Sequence, residues 1–241
     1  MVGGGAVLLT AGCSPAKIAF IGLPTPASDQ AQRMANLWHG SWITAWSVGA
    51  LVWGLILWSV FRYRKRGDHL PVQTRYNIPI ELLYTVVPFI IVAVLFFFTA
   101  RDQNAITTLS KQTPAHVVNV NGMRWSWQFN YVENGSSIGT VTGTPTYEPT
   151  LYLPVGEKVR FHITSSDVNH SFWVPAFLFK MDAIPQRINT FDLTPTRTGT
   201  FAGRCAELCG TYHARMLFKV VVLPADQFEA QMTKIKGGAT S

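Results

Sequence analysis

The sequence predicts a two-helix transmembrane hairpin joined to an all-β sandwich or barrel. Three observations lead there. Gly40 to Phe61 contains no charged residue, and neither does Leu82 to Ala100; as helices, both runs are long enough to cross a hydrocarbon core of about 30 Å. Charged residues make up only 14% of the 241-residue chain, and the shortfall is confined to these two runs. From Val117 onward the apolar pattern changes from helical to alternating, in short runs between Gly and Pro turns. Two such runs, rich in Leu, Val, Phe and Trp and close together, argue against core helices of a water-soluble protein.

The N-terminal stretch "MVGGGAVLLTAGCSP" resembles a bacterial lipoprotein signal, in which Cys13 would be acylated and become the new N-terminus. It departs from that pattern in lacking a positive n-region and in carrying Thr10 where Leu is favoured. A plain leader with an unpaired cysteine is the alternative. Residues 14–39 are mixed in polarity, with Pro15, Pro24 and Pro26, and read as an external arm. The hairpin is expected over 40–100. Its short loop, 62–77, holds Arg62, Arg64, Lys65, Arg66 and Arg75, whereas the outer flanks hold Lys17, Arg33, Arg101 and Lys111. Positive residues stay inside, so the loop is predicted cytoplasmic and both termini external, in a multi-pass membrane protein surrounded by lipid. Trp38, Trp42 and Trp58 suit the interfacial ends of the first span. The net charge of +7 owes much to this loop and reads as a topology signal, not as nucleic-acid binding. The second span opens at "YNIPIELLYT", where Asn77 can cap, Pro79 fits a first turn and Glu81 favours the positive end of the helix dipole. Pro88 lies within the span, where packing against protein can compensate the broken backbone bond.

After a linker over 101–116, residues 117–224 read as the β domain. "NVNGMRWSWQFNY" places Met123, Trp125, Trp127, Phe129 and Tyr131 on one face. "EKVRFHITSSD", "INTFDLTP", "GTFAGRC" and "MLFKVVVLP" supply further strands. Residues 225–241 read as a final helix and tail. That helix is expected to start at Asp226, with Glu229 completing a capping box and Phe228, Met232 and Ile235 forming its apolar stripe.

The chemistry concentrates in "GRCAELCGTYHARM", which gathers Cys205, Glu207, Cys209, His213 and Met216. A Cys205–Cys209 disulfide suits an oxidising exterior but leaves His213 and Met216 unexplained. Structural zinc wants four Cys or His ligands, and a second local pair is missing. Thiolate, imidazole and a weak thioether are the ligand set of copper electron-transfer sites. Two cysteines can bridge two copper ions, each of which then needs a histidine. Among the six histidines, His39 and His69 flank the first span, His116 is in the linker and His162 lies on the strand face opposite Val159 and Phe161. His170, in "SDVNHSFWVPAF", is the best second imidazole.

These residues carry a resemblance. "GRCAELCGTYHARM" is similar to the copper A loop of cytochrome c oxidase subunit II. "DVNHSFWVPAFLFKMDAIPQRIN" resembles that family's first-histidine segment, "GMRWSWQFNY" its aromatic stretch and "IELLYTVVP" the start of its second membrane helix. The likeness runs from about residue 40 to 224. It implies a cupredoxin-like barrel on a membrane hairpin, beside the larger haem-copper subunit I and the other oxidase subunits. By motif position, Cys205 and Cys209 bridge the coppers, His170 and His213 complete them, Met216 is axial to one and the Glu207 carbonyl to the other. The Glu207 carboxylate resembles a ligand of magnesium shared with the partner subunit. Trp125 matches the residue through which electrons enter from a c-type cytochrome, and Glu81 a glutamate at the cytoplasmic mouth of a proton channel.

The resemblance thus implies a subunit that accepts electrons for an oxygen-reducing, proton-translocating oxidase in a bacterial cell membrane, with oxygen chemistry on another subunit. Two departures stand out. Tyr84 replaces a usual Trp. From Ala105 there are twelve Lys and Arg against nine Asp and Glu, not the acidic face that draws soluble basic cytochromes, so a membrane-tethered donor is admitted. The competing readings are a copper A subunit of a nitric oxide reductase and a copper-delivery lipoprotein.

Overall fold

The computed structural model describes residues 19–67 and 72–238. The expectations for the leader and Cys13 lie outside the described residues, as does His69. The chain divides into two units: Asn36–Gln103, and the β domain together with the segment preceding Asn36.

Two long helices supply the first unit, α1 (Asp29–Arg62) and α2 (Ile78–Thr107). At 1.5 Å per residue they run about 51 and about 45 Å, more than a hydrocarbon core needs. Their charge-free stretches are unburied by protein, as a lipid-facing surface requires. Trp38, Trp42 and Trp46 stack along α1, with successive centroids 5.7 and 5.8 Å apart. At the start of α2 the Asn77 and Glu81 side chains cap reciprocally. Glu81 Oε1 accepts from the Asn77 amide at 2.9 Å, and Asn77 Oδ1 accepts from the Ile80 amide at 3.5 Å.

Both helices outrun the boundaries read from sequence, because a charge-free run marks the hydrocarbon crossing and not the helix. The arm expected to reach residue 39 turns helical at Asp29. Ser28 Oγ accepts the Ala31 amide at 3.1 Å, an N-cap. Ala27, Ala31 and Ala35 are fully buried, so this segment belongs to the β unit. It is tied there by Asp29 N to the Thr194 carbonyl at 3.0 Å and by Ala27 N to the Ala176 carbonyl at 2.9 Å. At the other end α2 continues through Arg101 and Asp102 to Thr107, which shortens the expected linker.

Among the described residues, ten strands form two five-stranded sheets around one core: β1 (His116–Met123), β2 (Ser126–Glu133), β3 (Ser136–Thr142), β4 (Thr150–Pro154), β5 (Val159–Ser165), β6 (His170–Val174), β7 (Phe179–Ala183), β8 (Asn189–Leu193), β9 (Gly199–Cys205) and β10 (Leu217–Leu223). One sheet runs β3-β2-β1-β5-β8 and the other β4-β10-β9-β6-β7. The β1–β5 and β4–β10 pairs are parallel and the rest antiparallel. The facing sides meet through aromatic rings, Phe161 with Phe172 at 5.9 Å and Phe129 with Phe218 at 5.5 Å between centroids. This is the sandwich form of the expected β domain, with alternate residues inward.

Three local expectations change. The stretch "NVNGMRWSWQFNY" is a hairpin, not one strand: Met123 faces Ser126 across a turn at Arg124 and Trp125. A two-residue turn preserves the period of two, so the alternation carried no mark of the reversal. His116 opens β1 instead of sitting in a linker. The last helix, α3 (Ala225–Lys236), starts one residue early, with Pro224 at the cap position and no side-chain cap bond. The Phe228 amide already closes on the Pro224 carbonyl at 2.9 Å, so Asp226 falls inside the first turn and the capping box does not form. Phe228, Met232 and Ile235 are buried as expected.

Candidate metal centre

Two segments build the centre. His170 begins β6, and Cys205 ends β9, whose residue Phe172-facing position is set by the β6–β9 pairing. After Cys205 the chain loops out and returns at Leu217 into β10. The loop is pinned at its neck by Cys205 N to the Met216 carbonyl at 3.1 Å and by Ala206 N to the Ser171 carbonyl at 2.9 Å. Gly210, at φ +116°, supplies the left-handed backbone that turns it. A short 3-10 turn, His213–Arg215, then points His213 back.

The Sγ atoms of Cys205 and Cys209 lie 3.8 Å apart, nearly twice a disulfide bond, and both cysteines are free. Nδ1 of His170 is 3.8 Å from Cys205 Sγ, and Nδ1 of His213 is 3.5 Å from Cys209 Sγ. Met216 Sδ is 3.7 Å from Cys209 Sγ, and the Glu207 carbonyl is 3.2 Å from Cys205 Sγ. The ligand atoms of His170, Cys205 and Cys209 all fall within 4.8 Å of one another. His170, Met216 and both cysteines are buried, and His213 is half-buried. The six donors read from sequence therefore converge, and their softness suits copper better than a hard cation.

Without a metal the two thiols titrate apart. Burial disfavours ionisation of Cys205, but its contacts with His170 and the loop backbone outweigh this and bring it to about 6. Burial, and then the charge on Cys205, push Cys209 up to about 12. Two thiolates in this space call for positive charge between them, as a bound cation supplies.

The surroundings orient the ligands. Asp167 Oδ1 is 2.9 Å from His170 Nε2, leaving Nδ1 toward the thiols. Burial would raise the Asp167 pKa, yet bonds from His170 and from the Arg124 and Val168 amides hold it at about 2. Burial would likewise lower the pKa of His170, but Cys205 and Asp167 lift it above the ordinary value. A Cβ on Gly122 would stand 2.9 Å from His170 Cδ2, so β1 backs directly onto the ring. Sequence reasoning missed Asp167 and Gly122; the D-x-x-H spacing at Asp167–His170 was the available signal.

Of the other predicted residues, Trp125 is at the centre: its Nε1 donates to the Cys209 carbonyl at 3.1 Å. The Glu207 side chain is exposed, and among the described residues it belongs to no group of three or more His, Cys, Asp or Glu side chains placed to hold a metal. Glu81 belongs to the membrane unit, where it caps its own helix. His116 and His162 are engaged elsewhere, with Glu157 and Thr190 respectively.

The chain is similar in sequence to known proteins over most of its length. Residues 16–101 match the family model for the cytochrome c oxidase subunit II transmembrane domain, and 145–223 the model for its periplasmic domain. A probable cytochrome c oxidase subunit 2 of Streptomyces coelicolor is 46% identical over 98% of this chain and 86% of its own. The Mycobacterium tuberculosis cytochrome c oxidase subunit 2 is 34% identical over 98% of this chain and 81% of its own. The crystal structure of the periplasmic domain of subunit II of cytochrome oxidase from Bradyrhizobium japonicum shares 28% identity, covering 54% of this chain and 99% of that one, with a TM-score of 0.48. By its identity to full-length relatives and its two domain matches, the chain belongs to the cytochrome c oxidase subunit II family.

Proposed function

We propose that this chain accepts electrons from a c-type cytochrome at a binuclear copper A centre and passes them to the haem-copper subunit, where oxygen is reduced and protons are translocated. The observation that carries the reading is a pair of unpaired thiols 3.8 Å apart, each with an imidazole Nδ1 within 3.8 Å. Cys205, Cys209, His170 and His213 would hold the metals, with Met216 and the Glu207 carbonyl as weak ligands. Bound there, copper supplies one-electron exchange shared over two metals and two sulfurs. The chain's part is to keep the donor positions unchanged in both oxidation states, through β6, β9 and the pinned loop, and to exclude water by burying them.

The remaining assignments belong to the same reading. Trp125, half-buried and bonded to the Cys209 backbone, is where electrons arrive. The β domain is external and the 62–77 loop cytoplasmic, by the distribution of positive residues. Cys13 is the candidate lipid anchor. Glu81 at the cytoplasmic mouth of a proton channel and magnesium at the exposed Glu207 carboxylate both depend on partner subunits.

Copper stoichiometry and electron paramagnetic resonance of the purified oxidase test the centre. The expected result is one unpaired electron shared by two coppers, lost in Cys209→Ser. One copper per chain, or a preference for zinc, would sink the binuclear assignment. Oxygen against nitric oxide turnover of the same preparation separates an oxidase from a nitric oxide reductase.

A further inference from the structure

α3 does not seal the end of the sandwich that it covers. It follows β10, whereas the thiol loop precedes β10, so the two lie at opposite ends of that strand. The helix is held at three places. A Cβ on Gly139 of β3 would collide with Ile235. The Phe228 ring meets His116 edge-on, with centroids 5.1 Å apart. Lys236 Nζ bonds Glu133 at 2.7 Å. Between these contacts the helix and the strand ends enclose a cleft of about 290 Å³, near the lower limit of the volume that holds a small molecule.

The cleft has an apolar wall and a charged mouth. Val118, Leu153 and Val159 come from the strands, and Phe228 and Met232 from α3. All five are buried, and the flexible thioether of Met232 adapts to differently shaped molecules. Three carboxylates line the same cleft, Glu133, Glu157 and Glu229, against Lys236 and His116. Lys236 is engaged by Glu133, and His116 Nε2 by Glu157 at 2.8 Å. Glu229 is exposed, and among the described residues it forms no ion pair. Even with His116 charged, the mouth keeps one uncompensated negative charge beside the apolar wall.

We infer that this cleft binds a small amphiphilic amine, its apolar body against Phe228 and Met232 and its ammonium group at Glu229. Burial of the apolar body supplies most of the affinity. The single charge contact supplies the preference, favouring a cation over a neutral or anionic molecule of the same shape. The copper centre takes no part, so the inference stands or falls apart from the electron-accepting role.

The test uses the purified oxidase and three probes of one shape: phenylbutylamine, phenylbutanol and phenylbutyrate. Binding is read as protection from amide exchange over residues 225–236 as each probe is titrated. The amine is expected to bind about three- to five-fold more tightly than the alcohol, and the butyrate more weakly than both. Glu229→Gln should remove the preference for the amine and leave the affinity for the alcohol unchanged. Lys236→Gln, which frees the Glu133 carboxylate, should enlarge that preference. Both positions are exposed, so neither change disturbs the core. Equal affinity for the three probes, tighter binding of the butyrate, or a preference that survives Glu229→Gln overturns the inference. So does a titration in which no probe protects α3.

Discussion

Nε2 of His170 lies 2.9 Å from Oδ1 of Asp167, on the side of the imidazole away from Cys205. The carboxylate fixes the tautomer that offers Nδ1 to a metal and raises the basicity of the ring. Asp167→Asn keeps the shape and removes the charge. Copper affinity, measured by competition with a chelator, should fall by about ten-fold or more. Unchanged affinity would show that Asp167 only braces the β1–β2 turn.

Gly122 tests the same imidazole from the other side. An added methyl would meet His170 Cδ2 at 2.9 Å and Cγ at 3.1 Å, and Trp127, 6.1 Å away between centroids, limits the ring's retreat. Gly122→Ala should lower copper occupancy while costing about 1–3 kcal/mol of stability. Full occupancy with native spectra would mean that the strand yields instead of the ring.

Met216 is fully buried with its sulfur 3.7 Å from Cys209 Sγ. Met216→Leu conserves volume and should cost less than about 1.5 kcal/mol. Two coppers should still bind, but the absorption spectrum and reduction potential should shift, because a weak axial ligand is gone. Identical spectra would remove Met216 from the ligand set.

Acid stability should depend on Arg160 and Asp192, a buried pair with Nε–Oδ1 at 2.7 Å and a second bond at 2.9 Å. Burial raises the Asp192 pKa, but Arg160 and the Ser110 amide outweigh it, so the folded value lies below the ordinary one. The unfolded chain takes this proton near pH 4. The stabilisation is therefore complete above about pH 4 and is lost as pH falls through the lower folded value. Asp192→Asn should flatten unfolding free energy against pH below about 4. Arg160→Ala, which leaves a buried carboxylate unpaired, should cost about 3–5 kcal/mol at neutral pH.

Gln30 ties the start of α1 to the β unit, donating through Nε2 to the carbonyls of Ile106 and Asp192. Gln30→Ala should cost about 1–3 kcal/mol and speed amide exchange over residues 30–35. Exchange as slow as in the unaltered protein would mean that the buried alanines suffice.

The sequence by itself determined the two apolar spans and the β class, because these depend on local chemistry, and through a family resemblance it named six candidate donor residues. A charge-free run, a period of two and a Cys–Glu–Cys–His–Met loop each carry their meaning within a short window. It also allowed disulfide, zinc and copper readings of that loop, and it could not see the β1–β2 reversal, whose two-residue turn leaves the alternation intact. Tertiary structure decided what depends on distance between separate strands. The β6–β9 pairing brings His170 to Cys205 across 35 residues. The neck bonds hold the thiols 3.8 Å apart and unbonded. Gly122 and Trp125 acquire their relation to the centre only because β1, β6 and the thiol loop close around the same core. Likewise, Asp29 begins a helix whose first turns are buried with the β domain, since burial of Ala27, Ala31 and Ala35 follows from packing and not from the polarity of the segment.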